Sequence, residues 1–249
     1  MITPTHHTRA RPRRGVGQRR ALGELAGGLV PLLVVTGATA SVFALPPVYL
    51  LRAIAVYGLM TTLVLRHLPP ERSGLGPANW VTLGRATLVI SVAALIPQPE
   101  ILHDIGYWWI IGVTTVAMVL DGVDGRVARR TRTTTAFGAR FDMELDSLLM
   151  LVLAVLVWRS GRVGPWVVLL GLPRYLFVGT GWLWPWMRAP LPERMRRKAG
   201  CVMQGVTLLV CLGPIVSPEL APPVALVTLV LLGASFAVDI VWLFQTRAT

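Results

Sequence analysis

Residues 105–158 read IGYWWIIGVTTVAMVL, then DGVDGRVARRTRTTTAFGARFDMELD, then SLLMLVLAVLVW: an apolar run, a charged junction from Asp121 to Asp146, and a second apolar run. The stretches Ile105 to Leu120 and Ala139 to Trp158 approach the ~20 residues that one helical bilayer crossing requires. Acid at membrane depth is costly. Five of the chain's twelve acidic residues nevertheless fall between positions 121 and 146. The spacing predicts a helix ending near Asp121 and Asp124, which share a face at i,i+3, and a second helix beginning near Gly138 with Asp142 and Asp146 at i,i+4. Two carboxylate pairs can then converge. Glu144 lies about 200° around the second helix from its neighbouring aspartates and is expected to point elsewhere.

Four carboxylates without a nearby histidine or cysteine specify hard oxygen ligation. This suits Mg²⁺, Mn²⁺ or Ca²⁺ rather than zinc or copper. Such a metal would bridge pyrophosphate oxygens and neutralise charge on a departing phosphate, and a carboxylate left partly free could take a proton from an attacking alcohol. The bland alternative is a solvated loop in which the acids pair with Arg126, Arg129, Arg130, Arg132 and Arg140.

The rest of the chain sets these two runs in a membrane protein. Hydrophobic residues make up 54% of the 249 positions, charged residues 14%, and mean hydropathy is +0.62, too apolar for a soluble domain of this length. Further apolar runs lie near Leu25 to Leu45, Pro47 to Leu65, Trp80 to Ile96, Gly164 to Trp182, Ala199 to Val216 and Pro223 to Phe244, giving about eight candidate spans in an all-α fold. The net charge of +12 could point to nucleic acid, but the arginines cluster in short segments between apolar runs. The basic start, the Arg66 to Arg72, Arg126 to Arg140 and Arg188 to Lys198 segments and the Arg247 tail fall on one side, which the positive-inside rule makes cytoplasmic. Both termini are then cytoplasmic. Arg159 and Arg162 dissent, in a short connection on the other side. Cys201 and Cys211 are ten residues apart in one run. At about 15 Å along a helix they are too distant for a disulfide, and they read as packing residues.

Asp121, Asp124-Gly125, Ala128-Arg129, Gly138, Asp142 and Asp146 fit DxxDGxxAR, eight residues, then GxxxDxxxD. This pattern resembles the signature of the CDP-alcohol phosphotransferase family, complete at all eight fixed positions. The resemblance implies a core of six transmembrane helices over residues 77–249, usually homodimeric, with a cytoplasm-facing site. It leaves a basic segment at 1–24 and two additional helices within 25–66. It further implies that Asp121, Asp124 and Asp142 ligate a metal, and that Asp146 joins the metal site and is the base for the acceptor hydroxyl. Gly125 and Ala128 would let a nucleotide approach the backbone, Arg129 would support the site by charge, and Gly138 would permit a close start of its helix. Upstream, Pro77-Ala78-Asn79, Thr82 and Arg85 are similar to the family's segment before its first core helix. Asn79 and Thr82 are read either as nucleotide contacts or as helix caps.

Arg174 in an apolar run faces a cavity or an acidic partner and could hold an acceptor's phosphate; snorkelling or a structural pair is the alternative. Arg194, Arg196, Arg197 and Lys198 read as topology and anionic-lipid charges, with Arg196 and Lys198 also acceptor candidates. Arg52 and Asp239 are intramembrane charges without a motif, and Trp182, Trp184 and Trp186 are expected at the interface. The resulting expectation is transfer of a phosphatidyl group from CDP-diacylglycerol to a polar alcohol with release of CMP, with Mg²⁺ as cofactor and Mn²⁺ as substitute, in the plasma membrane and without nucleic acid. A soluble CDP-alcohol donor, or a divalent-cation channel or transporter using the four aspartates, are the alternatives.

Overall fold

The computed structural model describes residues 14–69, 77–131, 135–188 and 195–246. Among these, every regular element is helical: α1 (Arg14–Phe43), α2 (Val48–His67), α3 (Pro77–Ala93), α4 (Asp104–Thr131), α5 (Ala136–Arg159), α6 (Val168–Gly171), α7 (Pro173–Leu183), α8 (Met195–Leu212) and α9 (Ala221–Thr246). Short 3-10 turns lie at Pro99–Ile101, Pro165–Val167 and Pro185–Arg188. An all-helical chain is what a bilayer demands of a segment that must satisfy its backbone internally.

Four helical stretches are long and apolar enough to cross a membrane: Arg19–Phe43, Val48–His67, Asp104–Gly122 and Ala221–Thr246. A bent pair, Pro165–Gly171 with Pro173–Leu183, raises the number to five. The eight spans expected from the apolar runs are therefore not reached by length and composition. The shortfall has a physical cause. The apolar parts of α3 and α8 are short, Trp80–Ala93 and Ala199–Leu212. α5 is long enough at 24 residues, but Arg140, Asp142, Glu144 and Asp146 occupy its first half. The run expected as one span over Gly164 to Trp182 is broken by 70° at Leu172 and Pro173. Proline has no N–H and its ring crowds the preceding turn. Gln204 of α8 donates its side-chain N–H to the Leu170 carbonyl beside the break, which satisfies that carbonyl inside the bundle.

Helix α3 is the hub. Among the described residues it packs against α1, α2, α4 and α5, and α4 and α5 both lean on it. α5 continues the bundle to α6 and α8, and α8 pairs with α9. Glycine permits two of the close approaches. A Cβ on Gly28 would strike the Tyr57 hydroxyl and lie 2.9 Å from Leu83, and one on Gly171 would lie 2.6 Å from the Leu151 backbone. The Tyr57 hydroxyl ties α2 to α1 by donating to Leu25 O at 2.6 Å, and the Tyr49 hydroxyl ties α2 to α3 by donating to Ser91 O at 3.1 Å. Outward positions of α9 such as Val227, Val230, Leu231, Val238 and Val241 are exposed and apolar, an arrangement that lipid tolerates and water does not.

The end of the bundle opposite the Asp121–Asp146 junction is closed by Arg162. Its guanidinium donates to the carbonyls of Leu212 (3.1 Å), Gly213 and Val216 where α8 runs out, and stands 6.0 Å from the centroid of the Tyr107 ring. Those carbonyls belong to the orphan set at a helix C-terminus, which a cation satisfies well. This arginine, which broke the loop-charge pattern, is a helix cap. Arg162→Ala should lower Tm in detergent by roughly 4–8 °C, from about 1.5–3 kcal/mol of charge-assisted bonding. Arg159→Ala, at an exposed position, should stay within about 2 °C of wild type. Equal shifts in a thermal melt would disprove the capping role.

Candidate active site

The site is built on α3, α4 and α5. Asp121 stands ten residues before the end of α4, and Asp146 stands ten residues after the first residue of α5. Each is therefore about 15 Å from its helix end at the shared junction. α4 does not stop near Asp121 and Asp124 as expected; it continues to Thr131. Alanine and arginine after Gly125 are good helix formers, enough to offset the ~1 kcal/mol that one interior glycine costs. α5 begins as expected. Thr135 caps it by accepting from the Gly138 N–H at 3.0 Å. Gly138 thus serves the helix start, one turn before Asp142.

Carboxylate oxygens of Asp121, Asp142 and Asp146 lie within 4.8 Å of one another. Among them sits the Arg85 guanidinium from α3. Nη1 pairs with Asp121 at 2.9 Å and with Asp142, Nη2 pairs with Asp146, and Nε donates to the Ala117 carbonyl of α4 at 3.1 Å. The Arg85 side chain is 1% exposed, while those of Asp121, Asp142 and Asp146 are 41%, 35% and 43% exposed. The fork therefore reaches the carboxylates from the protein interior, and each of the three keeps a third or more of its side chain exposed. Thr82, one turn earlier on α3, is buried beside this position.

A hard divalent cation fits this arrangement. The donors are oxygen only, and they converge from two helices. Among the described residues, the three carboxylates outnumber the one guanidinium, which leaves negative charge for a cation to neutralise. Asp121, Asp142 and Asp146 could hold such an ion together.

Other expected residues are placed elsewhere. Glu144 points away from the cluster, and its 55% exposed side chain pairs with Arg174. Arg196 pairs with the buried Asp239 and donates to Ser235 O at 3.0 Å, joining the start of α8 to α9. Asp239 is thereby explained as half of an ion pair. Trp182 and Trp184 are exposed, and Trp186 meets Phe244 edge-on at 5.8 Å. Cys201 is exposed and Cys211 buried, so only the second packs inside. Asp124, Gly125, Ala128 and Arg129 continue α4, Asn79 lies in the first turn of α3 and Lys198 in that of α8, but their side chains lie outside the described residues. Arg85 was not among the expected site residues. The signal for it was present: an arginine inside the apolar run Trp80 to Ile96, the same anomaly that singled out Arg174.

Comparison with known proteins converges on this region. No solved structure matches the chain significantly. A model of the CDP-alcohol phosphatidyltransferase family matches residues 75–241. The match begins just before α3 and takes in Arg85 and all four aspartates, and it leaves α1 and α2 outside. The family is one of transferases with a CDP-alcohol donor, an alcohol acceptor and a general dependence on divalent metal, which the converging carboxylates accommodate. With two thirds of its length matched and the complete signature lying within the match, the chain belongs to the CDP-alcohol phosphatidyltransferase family.

Proposed function

We propose that this protein transfers a phosphatidyl group from CDP-diacylglycerol to a polar alcohol, releasing CMP, as a step of phospholipid synthesis. The observation that carries the reading is the meeting of Asp121, Asp142 and Asp146, from two helices of a membrane-embedded bundle, at a place open on one side. The lipidic donor is favoured because acyl chains can stay in the bilayer while the headgroup reaches carboxylates about three helical turns from the junction. Arginine-rich connections support a cytoplasmic-membrane protein with termini and site on the cytoplasmic side. The six-helix unit would cover residues 77–249, with helices in 25–66 added before it and a basic segment at 1–24, and the family resemblance favours a homodimer.

Asp121, Asp124, Asp142 and Asp146 would hold Mg²⁺, with Mn²⁺ as substitute. When bound, the ion supplies charge neutralisation at the pyrophosphate and at the departing CMP. Asp146 has the further task of accepting the acceptor's hydroxyl proton as that oxygen attacks the β-phosphorus. The bond from that phosphorus to the oxygen bridging to the α-phosphate breaks, and CMP leaves with the electron pair. Asn79, Thr82, Gly125, Ala128, Arg129 and Gly138 would line the nucleotide. Where the acceptor carries a phosphate or carboxylate, Arg174, Arg196 and Lys198 are its candidate partners, the two arginines exchanging their internal carboxylates for it.

The deciding experiment incubates purified protein in phospholipid vesicles with Mg²⁺, CDP-diacylglycerol and a panel of alcohols, reading CMP and lipid product together. One acceptor should give stoichiometric CMP and lipid. Turnover with a soluble CDP-alcohol instead would move the donor to the soluble class, and cation flux without CMP release would sink the transferase reading. Asp146→Asn should reduce kcat by about 10²–10⁴-fold, the contribution typical of a positioned general base. Intact turnover in that variant would remove Asp146 from the base role. Chelation with EDTA should abolish CMP release, with recovery on adding Mg²⁺ or Mn²⁺ but not Na⁺. Undiminished release in EDTA would exclude a role for the ion.

A further inference from the structure

The carboxylates of the site come from two helices. Asp121 is on α4, Asp142 and Asp146 are on α5, and among the described residues both helices pack on α3. Three carboxylates within 4.8 Å repel one another, and that repulsion would push α4 and α5 apart. Among the described residues, one cation stands between them to oppose it. Arg85 places Nη1 on Asp121 and Asp142, Nη2 on Asp146 and Nε on the Ala117 carbonyl, so a single planar fork spans both helices from a 1% exposed position. The backbone bond from Nε fixes the fork's orientation independently of the carboxylates. The face of α3 toward the N-terminal hairpin is also held, by Leu83 against Gly28 and by Tyr49 on Ser91.

We propose that Arg85 is a positioning residue that acts as a resident counter-cation: it keeps the carboxylates of α4 and α5 assembled when no divalent ion is bound. The inference rests on the reading of these aspartates as a metal site. It goes beyond that reading by assigning the pre-assembly to the chain itself, so that metal meets a formed site rather than creating one. The fork comes from the buried side of the carboxylates, and an ion would approach from their exposed side. Its consequence is specific. If Arg85 is lost, the bound ion takes over its charge between α4 and α5, and the protein's stability becomes strongly dependent on it.

The test is thermal unfolding of the full chain in detergent, with EDTA and then with saturating Mg²⁺ or Mn²⁺, for wild type and Arg85→Met. Losing the guanidinium both frees the repulsion and strengthens attraction for the ion, so both effects act in one direction. Metal should raise the Tm of Arg85→Met by at least ~4 °C more than it raises that of wild type. A second arm adds Asp146→Asn to Arg85→Met; in EDTA the double variant should melt above Arg85→Met because one repelling charge is gone. If Arg85→Met does not fold, Arg85→Gln replaces it in both arms, losing the charge while keeping a hydrogen-bonding group. Equal metal-induced shifts in wild type and variant would overturn the role of Arg85 while leaving the metal site standing, as would a double variant no more stable than the single one. A lack of any metal-induced shift in either protein would instead overturn the metal site, and the inference with it.

Discussion

One buried guanidinium facing three carboxylates constrains how this bundle can be assembled. A positive charge that is 1% exposed must be paired, and its partners must come to it from different helices. That requirement puts α3 in the centre and turns the Asp121 face of α4 and the Asp142–Asp146 face of α5 toward it. Among the described residues it bridges α4 and α5 by side-chain charge, beside the packing that both helices make on α3 and α8. The three carboxylates stay partly exposed. Stability and chemistry thus depend on the same few atoms.

The helices divide their labour accordingly. Those with the most continuous apolar surface, α1, α2 and α9, lie toward the outside and face lipid with exposed valine and leucine. Of the three that build the site, α3 and α5 fall short of an apolar span because their length is shared with charge or their apolar part is short, whereas α4 is apolar enough over Asp104–Gly122. Other charges within the bundle find partners without entering the site. Arg162 closes the end of α8, Arg196 holds Asp239 across α8 and α9, and Arg174 meets Glu144. Hydrocarbon makes each unpaired charge expensive, so the chain supplies a partner for each of these.

Much of this was legible from sequence because its causes are local. Apolar run length marks helices, so each expected run contains helix. The i,i+3 and i,i+4 spacings place aspartates on common faces, and the 3.6-residue period correctly sends Glu144 away from Asp142 and Asp146. Gly138 marks the start of α5, although its Thr135 cap was not among the expected features. Other features were misread for equally physical reasons. The length of α4 past Asp121 depended on helix propensity outweighing one glycine, and the break at Pro173 was hidden by the unbroken hydropathy around it. Arg162 looked like a topological exception because its carbonyl partners lie some fifty residues later in the chain.

By itself the sequence determined an all-helical membrane chain, the family signature and the identity of the four aspartates, since hydropathy, spacing and side-chain chemistry are properties of a linear string. Only the tertiary structure decided that three of those aspartates share one arginine, that this arginine comes from α3, and that Arg174 and Arg196 are already paired. The reason is geometric. An ion pair depends on where two helices cross, and that crossing is set by packing of the whole bundle, which no local pattern encodes.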